Sequence, residues 1–266
     1  MVVPESTDAG DDAMTVTMML AFVLLVLMVC IGGVKGFGAF ISLWINFVVM
    51  IAMLVMINFG FNAVIVLLIG GVLLLLVTIL SAGANDEITS ITMGASFIVM
   101  VALIILMLPA EYLNLAQGFA EENSEELEGL SLSIGLNFVS IGLVAAVVAT
   151  LGAIAEASIA VTAGTYELIE HNPKMTATEI FKTGSQLGYQ IVGTAVNTVL
   201  FGFMADFLSL GVWYAKLDYA LGDIINSKLF VSTMLSMIYA ILGVILVLPV
   251  SLGLIVWQHR RRHEST

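Results

Sequence analysis

A chain of 266 residues that is 60% hydrophobic and 11% charged, with a mean hydropathy of +1.10, is not a soluble globular domain. Its net charge of −12 argues against a nucleic-acid partner, which needs a basic face. The single cysteine, Cys30, excludes an internal disulfide and any multi-cysteine metal site.

In chain order, an acidic segment, "PESTDAGDD" (4–12), precedes seven apolar runs at 14–34, 38–59, 61–81, 91–109, 131–153, 188–210 and 229–257. Most reach the roughly 20 residues needed to cross a hydrocarbon core of about 30 Å. They are apolar all round rather than along one stripe, and they lack the alternation of a lipid-facing barrel strand. The reading is all-α: a polytopic membrane protein of about seven transmembrane helices, with 1–13 outside it and a basic tail at 258–266. "LMVC" (27–30) has no basic region before it and Val29 before Cys30, so the first run reads as a retained anchor.

Basic residues set the orientation. With the N-terminus outside, Lys35, Lys174, Lys182, Arg260, Arg261 and Arg262 fall inside, against Lys216 and Lys228 outside. This N-out, C-in arrangement puts the acidic stretches at the exterior, where like-charge blocks are solvated.

The first four runs are joined by "KGFG" (35–38), "GF" (60–61) and "GANDEITS" (83–90). Asp86 and Glu87 open the fourth helix, where the dipole favours anions. Pro109 is expected to close it. Residues 111–128 then alternate apolar and acidic side chains, in the manner of a helix lying on the membrane surface.

The second half is richer in small and polar residues. Ala153, Ala157, Ala160 and Gly164 recur at three- and four-residue spacing, which permits close helix approach in lipid. "HNP" (171–173) ends that helix, because Pro173 disfavours helical geometry before it. "TATE" (176–179) restarts one, with Thr176 as N-cap and Glu179 reaching back, so 174–187 reads as a short inner-face helix. The chain has no internal repeat, which counts against an inverted-repeat transporter built within it.

Glu156 is the ionisable residue to explain. It falls near the inner boundary of the bilayer, with Glu167 three turns on along the same face. A partner is expected on the next span, where Gln190, Thr194, Asn197, Thr198, Gly202 and Asp206 follow at helical spacing. That stripe is either interhelical glue or a hydrated path with Asp206 at its mouth, and it must face the bundle or a subunit. Asn46, Asn58, Asn62 and Asn137 could extend the network. No enzyme is expected, and no cofactor: metal-hydrolase, nucleophile-elbow and phosphate-loop motifs are absent, and a metal site is not assigned. His171 suits a helix end, where cations are favoured.

Residues 152–203 resemble the YibE/F-like membrane proteins. The likeness rests on Gly152 to Glu156, on Glu167-Leu168 with Asn172-Pro173, on Gly184 and Gly188, and on Gly193-Thr194 with Asn197, Thr198 and Leu200. "VKGFGAF" (34–40) and "NFGFNA" (58–63) extend it more loosely. The chain departs from the pattern at Glu156, where Asp is common, and at Tyr189-Gln190, where an Arg-Asp pair is common. The resemblance implies a multi-pass protein of a bacterial cell membrane, a candidate permease of the shorter, YibF type. It also implies an assembly with a YibE-type paralogous subunit, or with a second copy. The alternative is a non-transporting scaffold subunit for export or signalling.

Overall fold

The computed structural model describes residues 8–114, 116 and 138–264. The expected surface helix beyond Asn114, Asn137 and the start of the 131–153 run lie outside them. Among the described residues the elements are α1 (Asp8–Asn58), α2 (Ala63–Ser81), α3 (Asp86–Asn114), α4 (Phe138–His171), α5 (Ala177–Lys216), α6 (Leu221–Asn226) and α7 (Lys228–Glu264). Six are long and apolar enough to cross a membrane; α6 is not.

The seven apolar runs fall on six helices because the first two share α1. At 51 residues, a straight α1 would extend about 75 Å, more than twice the hydrocarbon thickness. It breaks at Gly33 instead, where φ is +58° and ψ −133°, a conformation that side chains with a Cβ scarcely adopt. The break is sharp enough that a Cβ on Gly36 would collide with the carbonyl of Met28. In an unbroken helix residues eight apart are about 12 Å apart. The connection expected at 35–38 is therefore made at Gly33.

The following turns have local causes. Gly60, with φ +84°, reverses the chain, and the Asn62 side chain accepts from the backbone N–H groups of Val64 and Ile65 at 3.0 and 3.3 Å. Asn62 is thus a helix cap rather than part of a polar network. Gly83, with φ +65°, turns α2 into α3, whose first turn carries Asp86 and Glu87. Contrary to expectation, α3 does not stop at Pro109 but continues to Asn114. Packed neighbours allow a membrane helix to carry a proline that a soluble helix would not tolerate.

The short helix expected at 174–187 is instead the first part of the continuous, 40-residue α5. Its start is as read: Thr176 and Glu179 form the capping box, with Thr176 N–H donating to Glu179 Oε2 at 2.8 Å and Glu179 N–H to Thr176 Oγ1 at 3.4 Å. These bonds hold the Glu179 carboxyl, in the first turn of α5 and well before the apolar run at 188–210, below its ordinary pKa.

Helix α4 is the hub, touching α2, α3, α5 and α7, while α7 also packs on α3 and α5, and α1 on α2. Apolar burial cannot drive helices together in lipid, so close fit and hydrogen bonds must. Glycines supply the fit. Gly71 receives Met100 and Leu151; Gly243 receives Ile154 and Leu103; Gly184 and Gly188 receive Leu252 and Leu248. The core along these contacts includes Leu67, Leu75, Met100, Leu103, Val147, Ile154 and Val244. The first arm of α1 takes no part in it: no residue from 15 to 35 is buried.

Candidate functional site

The periodicity of α4 separates two faces. Leu143, Val147, Leu151, Ile154, Ser158, Thr162 and Thr165 are buried in the bundle. Ala145, Ala149, Gly152, Glu156 and Glu167 lie on the opposite face, uncovered by the rest of the chain. Their spacing of four, three, four and eleven residues keeps them within about 60° of one another around the helix. Glu156 makes no hydrogen bond or ion pair with another described residue.

Helices α4 and α5 run antiparallel, with Gly164 against Leu187 and Thr165 against Gly184. Eight residues outward from that contact, Glu156 is level with Thr194 and Ala195. Gly193, Thr194, Asn197 and Thr198 are all exposed on α5 at this depth, and Gln190 lies one turn away. On the other side, Ser158 meets Thr92 of α3, so along the bundle axis Glu156 lies about 12 Å from the level of Asp86 at the start of α3, in the half of the bundle nearer Lys35.

The structure therefore assembles part of the expected stripe and divides the rest. Gln190, Thr194, Asn197 and Thr198 share a face, but that face points away from the chain's own bundle. A strict four-residue repeat drifts about 40° per step. Asp206 consequently lies about 160° around the helix from Gln190 and is exposed near its far end. The threonines are satisfied locally: Thr194 Oγ1 donates to Ile191 O at 2.8 Å, and Thr198 Oγ1 to Thr194 O at 3.1 Å. The amides of Gln190 and Asn197 have no hydrogen-bond partner among the described residues. Asn58 is exposed at the end of α1.

Glu167, Asn172 and Pro173 form a turn. His171 Nδ1 lies 2.9 Å from the Glu167 carbonyl oxygen, Asn172 N–H donates to the carbonyls of Leu168 and Ile169, and the Asn172 carbonyl accepts from Met175. This turn walls an open cleft of about 610 Å³ that also includes Lys174 and Glu179. Among the described residues no three His, Cys, Asp or Glu side chains cluster as a metal site would require.

Two polar features were not anticipated from the sequence, and Asn46 makes a different contact from the network expected of it. Thr92, Ser96, Ser158, Thr162 and Ser251 are fully buried where α3, α4 and α7 meet. Ser158 Oγ donates to the Thr92 carbonyl at 3.4 Å and lies 3.4 Å from Ser251 Oγ, while the hydroxyls of Thr92, Ser96 and Thr162 have no partner among the described residues. The signal was present as hydroxyl pairs four residues apart, Thr92/Ser96 and Ser158/Thr162, on one face of each helix. Glu111, expected in the outer loop, is instead buried on α3, with the buried Tyr239 of α7 beside it. Finally, Asn46 Nδ2 donates to Thr78 Oγ1 at 2.9 Å, tying α1 to α2, while Asn46 Oδ1 is buried with no donor among the described residues.

A bundle of long apolar helices, glycine-packed around α4 and with polar side chains both in its core and on its flank, defines a helical multi-pass membrane protein. Residues 20–261 match the family described as YibE/F-like protein, and the chain belongs to that family. Neither the curated proteins nor the solved structures contain a match to it.

Proposed function

We propose that the chain is a permease or channel component that moves a small solute or ion as one subunit of a YibE/YibF-type complex. It lies N-out and C-in in the cell membrane. One observation carries the reading: Glu156 and the motif residues Gly193, Thr194, Asn197 and Thr198 lie at one depth on outward faces of adjacent helices. Unpartnered amides and a carboxylate facing hydrocarbon are costly, so they call for a second protein surface or a water-lined path between subunits. The test is ion and solute flux in proteoliposomes holding this chain with a longer relative. Glu156→Gln keeps shape and hydrogen-bonding capacity, so it should abolish flux at unchanged abundance; unaltered flux would remove Glu156 from the path.

The second reading, a non-transporting scaffold subunit, is favoured by the close packing of α3, α4 and α7. A Cβ on Gly243 would lie 2.9–3.0 Å from Ile154 and Leu103. An intact complex with no flux across the panel would select it.

A further inference from the structure

Between the second arm of α1 and the uncovered face of α4 runs an apolar groove of about 570 Å³, walled by Met50, Met53, Leu54, Ile57, Ala145 and Ala149. It continues into a cleft of about 290 Å³ that shares Met50 and Val148 with it and is walled by Asn46, Thr78 and Gly152. Along α1 the lining extends from Asn58, at the open end, to Leu43, about 22 Å at the helical rise. Alanine and glycine on the α4 wall leave this space open, and a Cβ on Gly152 would meet nothing within 4 Å.

Such a groove in a membrane protein would ordinarily hold any alkyl chain. Its deep end is not ordinary. There Asn46 Nδ2 donates to Thr78, and Asn46 Oδ1 is buried with no donor among the described residues. One turn beyond Gly152, on the same face of α4, stands the Glu156 carboxylate, with no partner among the described residues. Both groups accept hydrogen bonds, and one is anionic, so the polar end lacks a donor that carries positive charge. An apolar pocket of drug-like volume with a few convergent polar groups at one end is the usual form of a small-molecule site.

We infer that this groove binds an amphiphilic cation with an N–H donor, its alkyl part between α1 and α4 and its ammonium head against Asn46 Oδ1 and Glu156. The head then lies toward the end of the bundle that carries Lys35, and the tail extends toward Ile57. The assignment rests on the proposed function insofar as Glu156 serves both, and it gives that reading a substrate class.

The experiment uses the full chain in phosphatidylcholine nanodiscs and radiolabelled dodecylamine as probe, with dodecanol and dodecanoate as competitors. Dodecylamine binds saturably, one per chain. Dodecanol competes about tenfold or more weakly, as expected for loss of a charged hydrogen bond, and dodecanoate does not compete. Glu156→Gln brings the amine down to the affinity of the alcohol and leaves the alcohol unchanged. Ala149→Phe, which fills the groove, abolishes binding of both. Ala145→Phe repeats that block from the adjacent turn, and only variants with the wild-type unfolding midpoint are scored. Equal binding of amine, alcohol and acid overturns the inference, as does undiminished amine binding in the two phenylalanine variants. Ion flux without amine binding removes this site alone, whereas amine binding without flux of any kind removes only the transport reading.

Discussion

The glycine pair of the family motif is a packing device, and Gly188→Ala measures it. A Cβ at position 188 would run into Leu248 Cδ1, with Leu248 Cγ at 3.3 Å and Cδ2 at 3.5 Å. Leu248 is itself buried between α5 and α7, so its side chain cannot swing away freely. Overpacking of this kind costs about 1–3 kcal/mol. It is partly masked by the better helix propensity of Ala, worth about 1 kcal/mol. At Gly193, five residues on in the same helix, an added methyl would meet nothing within 4 Å, so Gly193→Ala carries the propensity gain alone. The difference between the two variants cancels propensity and isolates the contact, at about 1–3 kcal/mol. Reversible unfolding in mixed micelles with increasing dodecyl sulfate reads it. A double-mutant cycle gives the cause. Leu248→Ala alone costs about 2–5 kcal/mol through its cavity, and in its background the Gly188→Ala penalty shrinks, with a coupling of about 0.5–3 kcal/mol. Equal stability of the Gly188 and Gly193 variants, or strict additivity with Leu248→Ala, would refute the reasoning.

Gly193→Leu, at an open and outward-facing site, should raise the unfolding midpoint of the isolated chain slightly, by the same propensity gain, and yet break co-purification with a partner subunit; retention of the complex would move the interface elsewhere. Cysteine placed at Ser124 should label from outside intact cells and at Ser185 only after permeabilisation, the reverse pattern inverting the proposed orientation. The Thr176–Glu179 box should be pH-dependent. Because its bonds lower the folded-state pKa of Glu179, its contribution is present above the unfolded value of about 4.3 and is lost as pH falls through the folded value. Glu179→Gln should therefore lower stability at pH 7 and make no difference in strong acid, as measured by unfolding midpoints across that range; a pH-independent difference would assign the effect to helix propensity.

The amino-acid sequence by itself determined the membrane-spanning class, because apolar runs of bilayer length need no tertiary information. It also determined the features that depend on a few neighbouring residues: the Asn172-Pro173 stop, the Thr176–Glu179 cap and the acidic start of α3 are interactions within one turn. Helix continuity was less legible. Pro109 reads as a terminator in isolation, and only the helices packed around α3 let it pass; the reversal of α1 depended on a backbone angle at Gly33, one of four glycines within 32–38. Which face of each helix turns inward was decided by the tertiary structure alone. Apolar runs that are hydrophobic all round carry no moment to orient them, so the polar stripe of α5 could equally have been core. The antiparallel register of α4 and α5 places Glu156 level with Thr194, while the small residues of α4 face α1 across a groove. The buried acid Glu111 and the hydroxyl layer around Ser158 belong to the same category. Their partners lie on helices distant in sequence, and the cost of burying a polar group depends on what the fold places beside it.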